Sequence, residues 1–269
     1  MPYTPSKYWS DLHVRRDLSA VGQSGLNSAM NQQLYRIWAR NLRRFLKRNG
    51  VQRIGPTAFE VGAGTGYWLP LWRELGAERI DGCDLVPSAV DDLNSRFGPS
   101  GGFIVLDLGD EKVGLDCYDF VACMDVLLHI TDDAKFDRAL ANLARLVAPG
   151  GRLLMKEPIL LREGFERPYN PELSSRARPL SRYRAGLEAQ GLKLEAIGPA
   201  TAIANNPIEG RSRLAYRAWR GTWGVVSLPS KIHPANARWV GAVLSAIDPA
   251  LMALGAAPSG KFALFARPG

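Results

Sequence analysis

The sequence predicts an α/β fold with a mostly parallel sheet and helices on both of its sides. From about residue 54 to residue 160, short apolar segments alternate with helical segments, which is typical of βαβ units. A glycine-rich turn directly follows the first apolar segment, where such folds pass from strand to helix. Hydrophobic residues make up 46% of the 269 residues, which is enough for the core of one such domain.

The predicted elements follow from the apolar runs and from the residues that interrupt them. Five core strands are predicted, at residues 57–61, 79–84, 102–106, 118–124 and 152–156. The helix from about Asp133 takes Thr131 or Asp132 as its N-cap, and Pro149-Gly150-Gly151 ends it. After residue 158 the pattern is less regular and predicts a loop at 158–178, helices at 181–190, 213–223 and 235–246, and strands at 192–197 and 261–266.

Three glycines at alternate positions, Gly62, Gly64 and Gly66, form the turn after the first strand, and Glu60 precedes them. Glycine permits a sharp turn and close approach of a ligand to the backbone, and the next helix offers unpaired N–H groups. A dinucleotide-binding turn, G-x-G-x-x-G, needs its third glycine where Tyr67 stands. The glutamate would also repel a pyrophosphate, whereas it suits an ammonium group, so the turn favours a cofactor with an aminoacyl part.

Acidic residues also end the next two strands. Asp84 ends the second strand, where a carboxylate can accept hydrogen bonds from both hydroxyls of a ribose. Asp107 ends the third strand, near the expected place of an adenine amino group. Open α/β sheets bind ligands at the carboxyl ends of their strands. The order of one acid, a glycine turn and two further acids therefore predicts a cofactor site at this edge.

The segment from Glu60 to Lys156 resembles the core of the class I S-adenosylmethionine-dependent methyltransferases. It carries that family's E/D-x-G-x-G-x-G turn, its acids after strands two and three, its Asp-Val-Leu-x-His-Ile stretch at 125–130 and its Pro-Gly-Gly turn. The resemblance implies a Rossmann-like seven-stranded sheet whose last strand runs antiparallel between strands five and six. It also implies that S-adenosylmethionine is bound by Tyr8, Trp9, Glu60, Gly62, Ala63, Gly64, Gly66, Asp84, Leu85, Asp107, Leu108, Met124 and His129.

The whole chain, residues 1–269, is predicted to form a single methyltransferase domain. Residues 1–50 would be an N-terminal helical cap, 51–157 the cofactor-binding core, and 158–269 the remainder of the sheet. Insertions at 158–178 and 204–259 follow strand ends, so we expect them to roof the carboxyl edge together with the cap. A roofed site suits a small substrate and excludes water around a reactive sulfonium.

Aromatic and arginine residues in and beside these insertions are the candidate substrate-binding residues. Trp219 and Trp223 offer ring faces that stabilise positive charge at a transferring methyl group. Arg178 and Arg182 offer guanidinium groups that pair with a carboxylate or phosphate. Together they indicate a small anionic or aromatic substrate.

Methyl transfer is an in-line displacement in which positioning supplies much of the rate, and a base is needed only when the nucleophile must lose a proton. His129 is the main candidate base because it follows strand four beside the expected cofactor, and an unperturbed imidazole titrates near neutral pH. Tyr183 and Glu157 are further candidates, and Glu157 could instead orient the substrate.

The predicted function is transfer of the methyl group to an oxygen or nitrogen, and less readily a carbon, of a small molecule in specialised metabolism. One alternative is a protein or RNA methyltransferase that uses the basic surface of the chain. Another is a protein of this fold that binds the cofactor without methylating, as a regulatory subunit. Neither the acceptor atom nor the substrate can be read from the sequence.

The charge of the chain does not by itself indicate a nucleic-acid partner. Lysine and arginine outnumber acidic residues by 34 to 26, a formal charge of +8. However, six of the basic residues recur at helical spacing opposite apolar ones, which predicts a solvated face of one helix: Arg36, Arg40, Arg43, Arg44, Lys47 and Arg48. The stretch after strand four also lacks the Asn/Asp-Pro-Pro-Tyr pattern of nucleobase N-methyltransferases.

Three cysteines, Cys83, Cys117 and Cys123, form no Cys-x-x-Cys pair, so neither a disulfide framework nor a metal site is expected. Cys83 and Cys123 lie in apolar runs and are expected to be buried. No apolar run is long enough to cross a membrane, and the N-terminus lacks a secretory pattern. We therefore expect a cytoplasmic monomer or homodimer without a membrane partner.

Overall fold

A computed structural model describes residues 5–23, 25–110, 114, 116–164, 175–203, 208–209, 213–253 and 259–269. Its strands are β1 (Thr57–Val61), β2 (Arg79–Asp84), β3 (Phe103–Val105), β4 (Tyr118–Met124), β5 (Val147–Leu160), β6 (Arg178–Pro179), β7 (Lys193–Pro199) and β8 (Gly260–Ala266). Its helices are α1 (Pro5–His13), α2 (Leu18–Val21), α3 (Ser28–Arg48), α4 (Leu69–Glu74), α5 (Pro87–Phe97), α6 (Asp133–Leu146), α7 (Leu180–Glu188), α8 (Arg213–Ile232) and α9 (Ala237–Ala253).

The strands form one mixed sheet in the order β3-β2-β1-β4-β5-β8-β7, and β6 pairs with β5 outside this path. Strands β1 to β5 are mutually parallel, whereas β8 is antiparallel to both of its neighbours. The predicted Rossmann-like sheet is confirmed. Its last strand, β8, runs antiparallel between β5 and β7, and β7 corresponds to the predicted sixth strand at 192–197. All parallel strands therefore end at one edge, which collects the side chains and turns that follow them.

Strand β5 is much longer than the predicted segment 152–156. Its register with β8 runs from Arg152↔Ala266 to Pro158↔Gly260, and β6 pairs with the residues beyond. Pro149-Gly150-Gly151 ends helical structure as predicted, but these residues already belong to the strand. The predicted loop at 158–178 is thus wrong at both of its ends, because long-range pairing extends β5 and forms β6. Residues 165–174 lie outside the described part of the chain.

The helices confirm the predicted pattern and differ mainly in length. Asp132, one of the two predicted N-caps, accepts a hydrogen bond from the Lys135 N–H of α6 at 2.8 Å. Helices α8 and α9 are longer than predicted and continue through Pro229 and Pro249. Tertiary packing offsets these poor helix formers, because residues of both helices lie against the core.

Helix α3 is the predicted basic amphipathic helix. It buries Leu34, Ile37 and Leu42 against the core, and most of its basic side chains are exposed. Arg40 is the exception: it is half-buried and donates to the Ser245 carbonyl oxygen at 2.7 Å. The basic character of this helix is therefore mainly that of a solvated face, as predicted.

Two apolar layers enclose the sheet. Residues of α3, α4 and α9 pack on one side, and residues of α6 and α7 pack on the other. Successive residues of β1 alternate between the layers, so that Ala58 faces α3 while Phe59 and Val61 face α6. Cys83 and Cys123 are buried in β2 and β4, as predicted.

Candidate cofactor and active site

A cavity of about 370 Å³ opens at the carboxyl edge of β1, β2 and β4. Helices α1, α2 and α3 roof it through residues such as Trp9, Val21 and Tyr35. The structure brings together most of the predicted cofactor residues in its lining, namely Trp9, Gly62, Ala63, Gly64, Asp84, Leu85, Asp107, Leu108, Met124 and His129. The described parts of the two predicted insertions contribute no lining residue, so the described roof is built from the N-terminal segment.

The glycine turn has the conformation and the crowding that require glycine. Gly62 has φ +66°, and a Cβ atom there would lie 2.4 Å from a methyl carbon of Val126. Gly66 has φ +73°, and a Cβ atom there would lie 2.7 Å from the ring of Phe97. Both conformations are strained for residues with a side chain. Backbone geometry therefore fixes the turn, and the backbone atoms of Gly62 and Gly64 line the cavity without side chains.

Asp84 links the end of β2 to this turn. Its carboxylate accepts hydrogen bonds from the Gly64 N–H at 2.8 Å and from the Val86 N–H at 3.0 Å. Burial raises the pKa of Asp84, and the two backbone donors and His13 oppose that rise. His13 also lines the cavity but was not predicted. The sequence does hold a signal for it, because His13 lies four residues after Trp9 and so shares a helix face with it.

Asp107 is held from two sides. It accepts hydrogen bonds from the Gly109 N–H at 2.8 Å and from Lys135 Nζ at 2.9 Å. The bond to Asp107 raises the pKa of the Lys135 ammonium group. Lys135 lines the cavity but was not predicted from the sequence. It lies 28 residues after Asp107, in α6, and only folding brings the two side chains together.

Glu60, Gly66 and Tyr8 do not line the cavity, although they were predicted to contact the cofactor. The Glu60 side chain is 1% exposed on the α3 side of the sheet and accepts a hydrogen bond from the indole N–H of Trp72. Burial raises the pKa of Glu60 to about 8. Tyr8 packs edge-on against Trp9 at 5.2 Å between ring centroids. These residues lie outside the lining and pack against other residues near it.

We expect the buried Glu60 to make folding pH-dependent. Because folding raises the pKa of this carboxyl, its contribution to stability is fully present at pH values below the pKa of the unfolded chain, near 4.5. The contribution is lost as pH rises through the folded pKa of about 8. Between pH 5 and pH 9, the native chain should lose about 4 kcal/mol of unfolding free energy relative to Glu60→Gln. Denaturant unfolding of both chains across pH measures this difference. Glu78→Gln, at an exposed position, is the control, and parallel pH profiles for all three chains would contradict the expectation.

His129 lies at the cavity next to the roof. It ends the short 3₁₀ turn Leu127–His129 that follows β4, and its ring lies 4.7 Å from that of Trp9, edge to face. The predicted base therefore faces the cavity and contacts the helix that covers it.

Glu157, a second candidate base, is not among the lining residues. Its carboxylate is fully buried and accepts hydrogen bonds from the N–H groups of Val126, Leu127 and Leu128 at 2.9, 2.8 and 3.0 Å. Burial raises the pKa of Glu157 to about 8, against the effect of these three donors. Glu157 thus anchors the turn that carries His129, rather than facing the acceptor.

Tyr183, the third candidate base, lies in the α6 layer of the core. It is fully buried, and its ring packs edge-on against Phe136 at 5.3 Å. Its hydroxyl has no hydrogen-bond partner among the described residues, and burial raises its pKa well above the ordinary value. Because Tyr183 is absent from the described cavity lining, the structure gives it no access to an acceptor.

The four predicted substrate-binding residues also lie outside the described lining. Arg178 is buried, donates to the Ile130 carbonyl oxygen at 2.9 Å and lies 3.9 Å from the centre of the Phe136 ring. Arg182 pairs with Asp137 at 2.8 Å on the surface. Trp219 and Trp223 are half-buried residues of α8. In the folded chain, Arg178 therefore packs in the core and Arg182 forms a surface ion pair, and neither lines the cavity.

The wall beyond the glycine turn contains residues that the sequence did not single out. Tyr35 and Tyr67 line it with ring centroids 4.7 Å apart, and Trp68 lies beside them. Asp125 lines the same region with a left-handed backbone, φ +59°, and pairs with Lys156. A non-glycine residue in this conformation is uncommon and often marks a functional position.

The fold and the site resemble those of the class I S-adenosylmethionine-dependent methyltransferases. Residues 58–151 match the family described as Methyltransferase domain. S-adenosylmethionine is its cofactor, and the residues present fit it: the bare glycine turn admits a ligand closely, and Asp84 and Asp107 stand at the two following strand ends.

Two curated methyltransferases are similar to part of this chain. A ubiquinone biosynthesis O-methyltransferase of Xanthomonas axonopodis pv. citri is 31% identical over 111 residues, which cover 39% of this chain and 44% of that protein. A malonyl-[acyl-carrier protein] O-methyltransferase of Serratia marcescens is 30% identical over 105 residues, 39% of each chain. The matches thus span less than half the length of either relative.

Solved structures extend the likeness over most of the chain. A putative sarcosine dimethylglycine methyltransferase from Galdieria sulphuraria has a TM-score of 0.54 at 16% identity, covering 86% of this chain and 84% of that one. The [4+2]-cyclase SpnF has a TM-score of 0.53 at 18% identity, covering 85% and 80%. At these identities the likeness shows the fold alone, and a cyclase among the neighbours illustrates that fold does not fix reaction.

Proposed function

We propose that the chain transfers the methyl group of S-adenosylmethionine to an oxygen or nitrogen of a small molecule and releases S-adenosylhomocysteine. The observation that carries this proposal is the roofed cavity, which is lined by the glycine turn and two strand-end acids and also by the rings of Tyr35, Tyr67 and Trp68 and the Asp125 carboxylate. Its enclosure by α1 to α3 favours a small acceptor over a protein or RNA.

On the cofactor side, Asp84 would accept hydrogen bonds from the ribose hydroxyls. Asp107 and Leu108 would border the adenine. The backbone of Gly62 to Gly64 would lie against the methionine part, beneath the roof helix that carries Trp9. This arrangement follows from the positions of these residues at the ends of β1, β2 and β3.

On the acceptor side, the rings of Tyr35, Tyr67 and Trp68 favour a planar or apolar molecule. The Asp125 carboxylate, whose side chain is 37% exposed, can accept a hydrogen bond from a hydroxyl or amine of that molecule. Since Arg178 and Arg182 lie outside the described lining, we favour an aromatic acceptor over a strongly anionic one.

The cofactor supplies an electrophilic methyl group on a sulfonium. The bound cofactor would give up this methyl group to the acceptor oxygen or nitrogen and leave as the thioether, and the His129 ring would accept the proton that the acceptor loses. The aromatic wall and Trp9 exclude water and orient the nucleophile. Glu157 keeps His129 in place by anchoring the preceding turn.

His129→Gln should lower kcat by about a hundredfold and change KM by less than about threefold, because the base acts in the transition state rather than in binding. Initial rates of S-adenosylhomocysteine release at several acceptor concentrations separate the two constants. His233→Gln is the matched control, since His233 is exposed beside α9 and is not a lining residue. An unchanged kcat would remove His129 from the reaction.

The function itself is tested by incubating the protein with S-adenosylmethionine and separate panels of phenols, amines and carboxylates, and measuring S-adenosylhomocysteine. We expect turnover with members of the phenol or amine panel. Turnover only with protein or RNA substrates would overturn the small-molecule proposal. Cofactor binding without transfer to any acceptor would favour a non-methylating role.

A further inference from the structure

Helices α8 and α9 carry large apolar side chains on their outward faces. On α8 these are Val225, Leu228 and Ile232, exposed to 71%, 51% and 73%. On α9 they are Trp239, Val243 and Ile247, exposed to 53%, 49% and 42%. We call these six residues the α8–α9 face. Exposed apolar groups collected in this way mark an interaction surface more often than isolated ones do.

The spacing places each set on one side of its helix. The α8 residues recur at intervals of three and four, and those of α9 at intervals of four. The short 3₁₀ turn Pro234–Asn236 joins the helices, which pack against each other. Ile232 and Trp239 lie nearest the turn, and Val225 and Ile247 farthest from it, so the two stripes are of similar length.

The inner sides of the hairpin are already occupied. Val240 and Leu244 of α9 are buried in the core, and Ser227 and Ser230 of α8 are buried as well. Asp248 accepts hydrogen bonds from Asn41 Nδ2 at 2.8 Å and from the Ala202 N–H at 2.8 Å. The α8–α9 face is therefore the outward side of a hairpin anchored by its opposite side.

The exposed charge of the α8–α9 hairpin itself is positive. Residues 213–253 contain a single acidic residue, the buried Asp248, and five basic ones: Arg213, Arg217, Arg220, Lys231 and Arg238. Lys231 and Arg238 are exposed next to Ile232 and Trp239. Apolar stripes that adjoin exposed cationic residues of the same hairpin are complementary to an anionic lipid surface, which offers an apolar interior beneath negative headgroups.

Charge disfavours a second copy as the occupant. A two-fold dimer across this face would bring the same cationic border together from both subunits. Among the described helices, none is both long and apolar enough to cross a bilayer. A hairpin of this kind can instead lie along the interface with its outward residues in the headgroup region.

We propose that the α8–α9 face attaches this protein peripherally to an anionic lipid bilayer. Val225, Leu228 and Ile232 of α8 enter the headgroup region together with the α9 residues, and Lys231 and Arg238 pair with lipid phosphates. This binding site is separate from the cofactor cavity, whose described lining includes no residue of α8 or α9. The inference therefore does not depend on the proposed methyl transfer.

Co-sedimentation with lipid vesicles tests the inference. The full chain should bind phosphatidylcholine vesicles that contain about 30% phosphatidylglycerol at least tenfold more tightly than pure phosphatidylcholine vesicles, and less tightly as salt rises. Val225→Asp combined with Val243→Asp should weaken this binding at least about tenfold. Ile104→Asp, at a 39% exposed residue of the edge strand β3, is the matched control and should bind as the native chain does.

A second pair of variants tests the charge separately. Lys231→Glu should weaken vesicle binding several-fold, whereas Lys193→Glu, at an exposed position on β7, should not. Unchanged melting temperature and cofactor affinity show that each variant is folded. The proposal is overturned if the native chain ignores anionic vesicles, or if the α8–α9 variants bind them as their controls do. A dimer that Val225→Asp with Val243→Asp dissolves, without vesicle binding, would assign the face to a second copy.

Discussion

Asp84→Ala should weaken S-adenosylmethionine binding by at least tenfold, a loss of about 1.4 kcal/mol or more. The carboxylate is the proposed acceptor for the ribose hydroxyls, and it also fixes the glycine turn through the Gly64 N–H at 2.8 Å. Its removal thus deletes a ligand contact and loosens the backbone that approaches the ligand. Calorimetric titration of the native and variant chains measures the change.

Asp84→Asn separates the two effects. The amide oxygen can still accept a hydrogen bond from the turn, but the negative charge is lost, so we expect a smaller loss of affinity than with alanine. Asp91→Ala, at an exposed residue of α5, is the control and should bind the cofactor as the native chain does. Equal affinity of native chain and Asp84→Ala, with both folded, would remove Asp84 from the cofactor site.

Glu157→Ala should lower the free energy of unfolding by about 3 kcal/mol. The three backbone N–H groups of residues 126–128 would lose their shared acceptor in a fully buried place, and a cavity would remain. Denaturant unfolding measures the loss. Because the same turn carries His129, we also expect kcat to fall more than cofactor affinity does.

Glu195→Ala provides the comparison for this change. Glu195 pairs with Arg152 at 2.9 Å, but both side chains are more than one-third exposed, so its loss should cost less than about 1 kcal/mol. Glu157→Gln keeps one accepting oxygen and should lie between the native chain and the alanine variant. A cost below about 1 kcal/mol for Glu157→Ala would contradict the anchoring role.

Local patterns account for the predicted residues that line the cavity. Gly62, Asp84 and Asp107 each lie at or just after the carboxyl end of a strand, and parallel strands bring those ends to one edge whatever the rest of the chain does. The position of His129 followed from the same rule. These residues could be placed without knowledge of any long-range contact.

Side-chain direction could not be obtained in this way. Glu60 is next to the glycine turn in sequence, but the alternation along β1 turns it toward Trp72 and away from the described lining. Tyr183 and Arg178 were candidates for the active site by residue type, and packing against Phe136 instead places both in the core. Residue type indicates what a side chain can do, whereas the direction of its strand or helix decides what it meets.

The sequence by itself determined the class of fold, the strand order expected of that class, the cofactor and the sheet edge at which the cavity lies. Periodicity and strand-end residues encode these locally. Only the tertiary structure decided that Tyr35, Asp125 and Lys135 line the cavity and that the described roof comes from α1 to α3. It also left the outward sides of α8 and α9 exposed. The physical reason is that these features depend on how distant helices pack, and packing combines contacts whose partners no local pattern specifies.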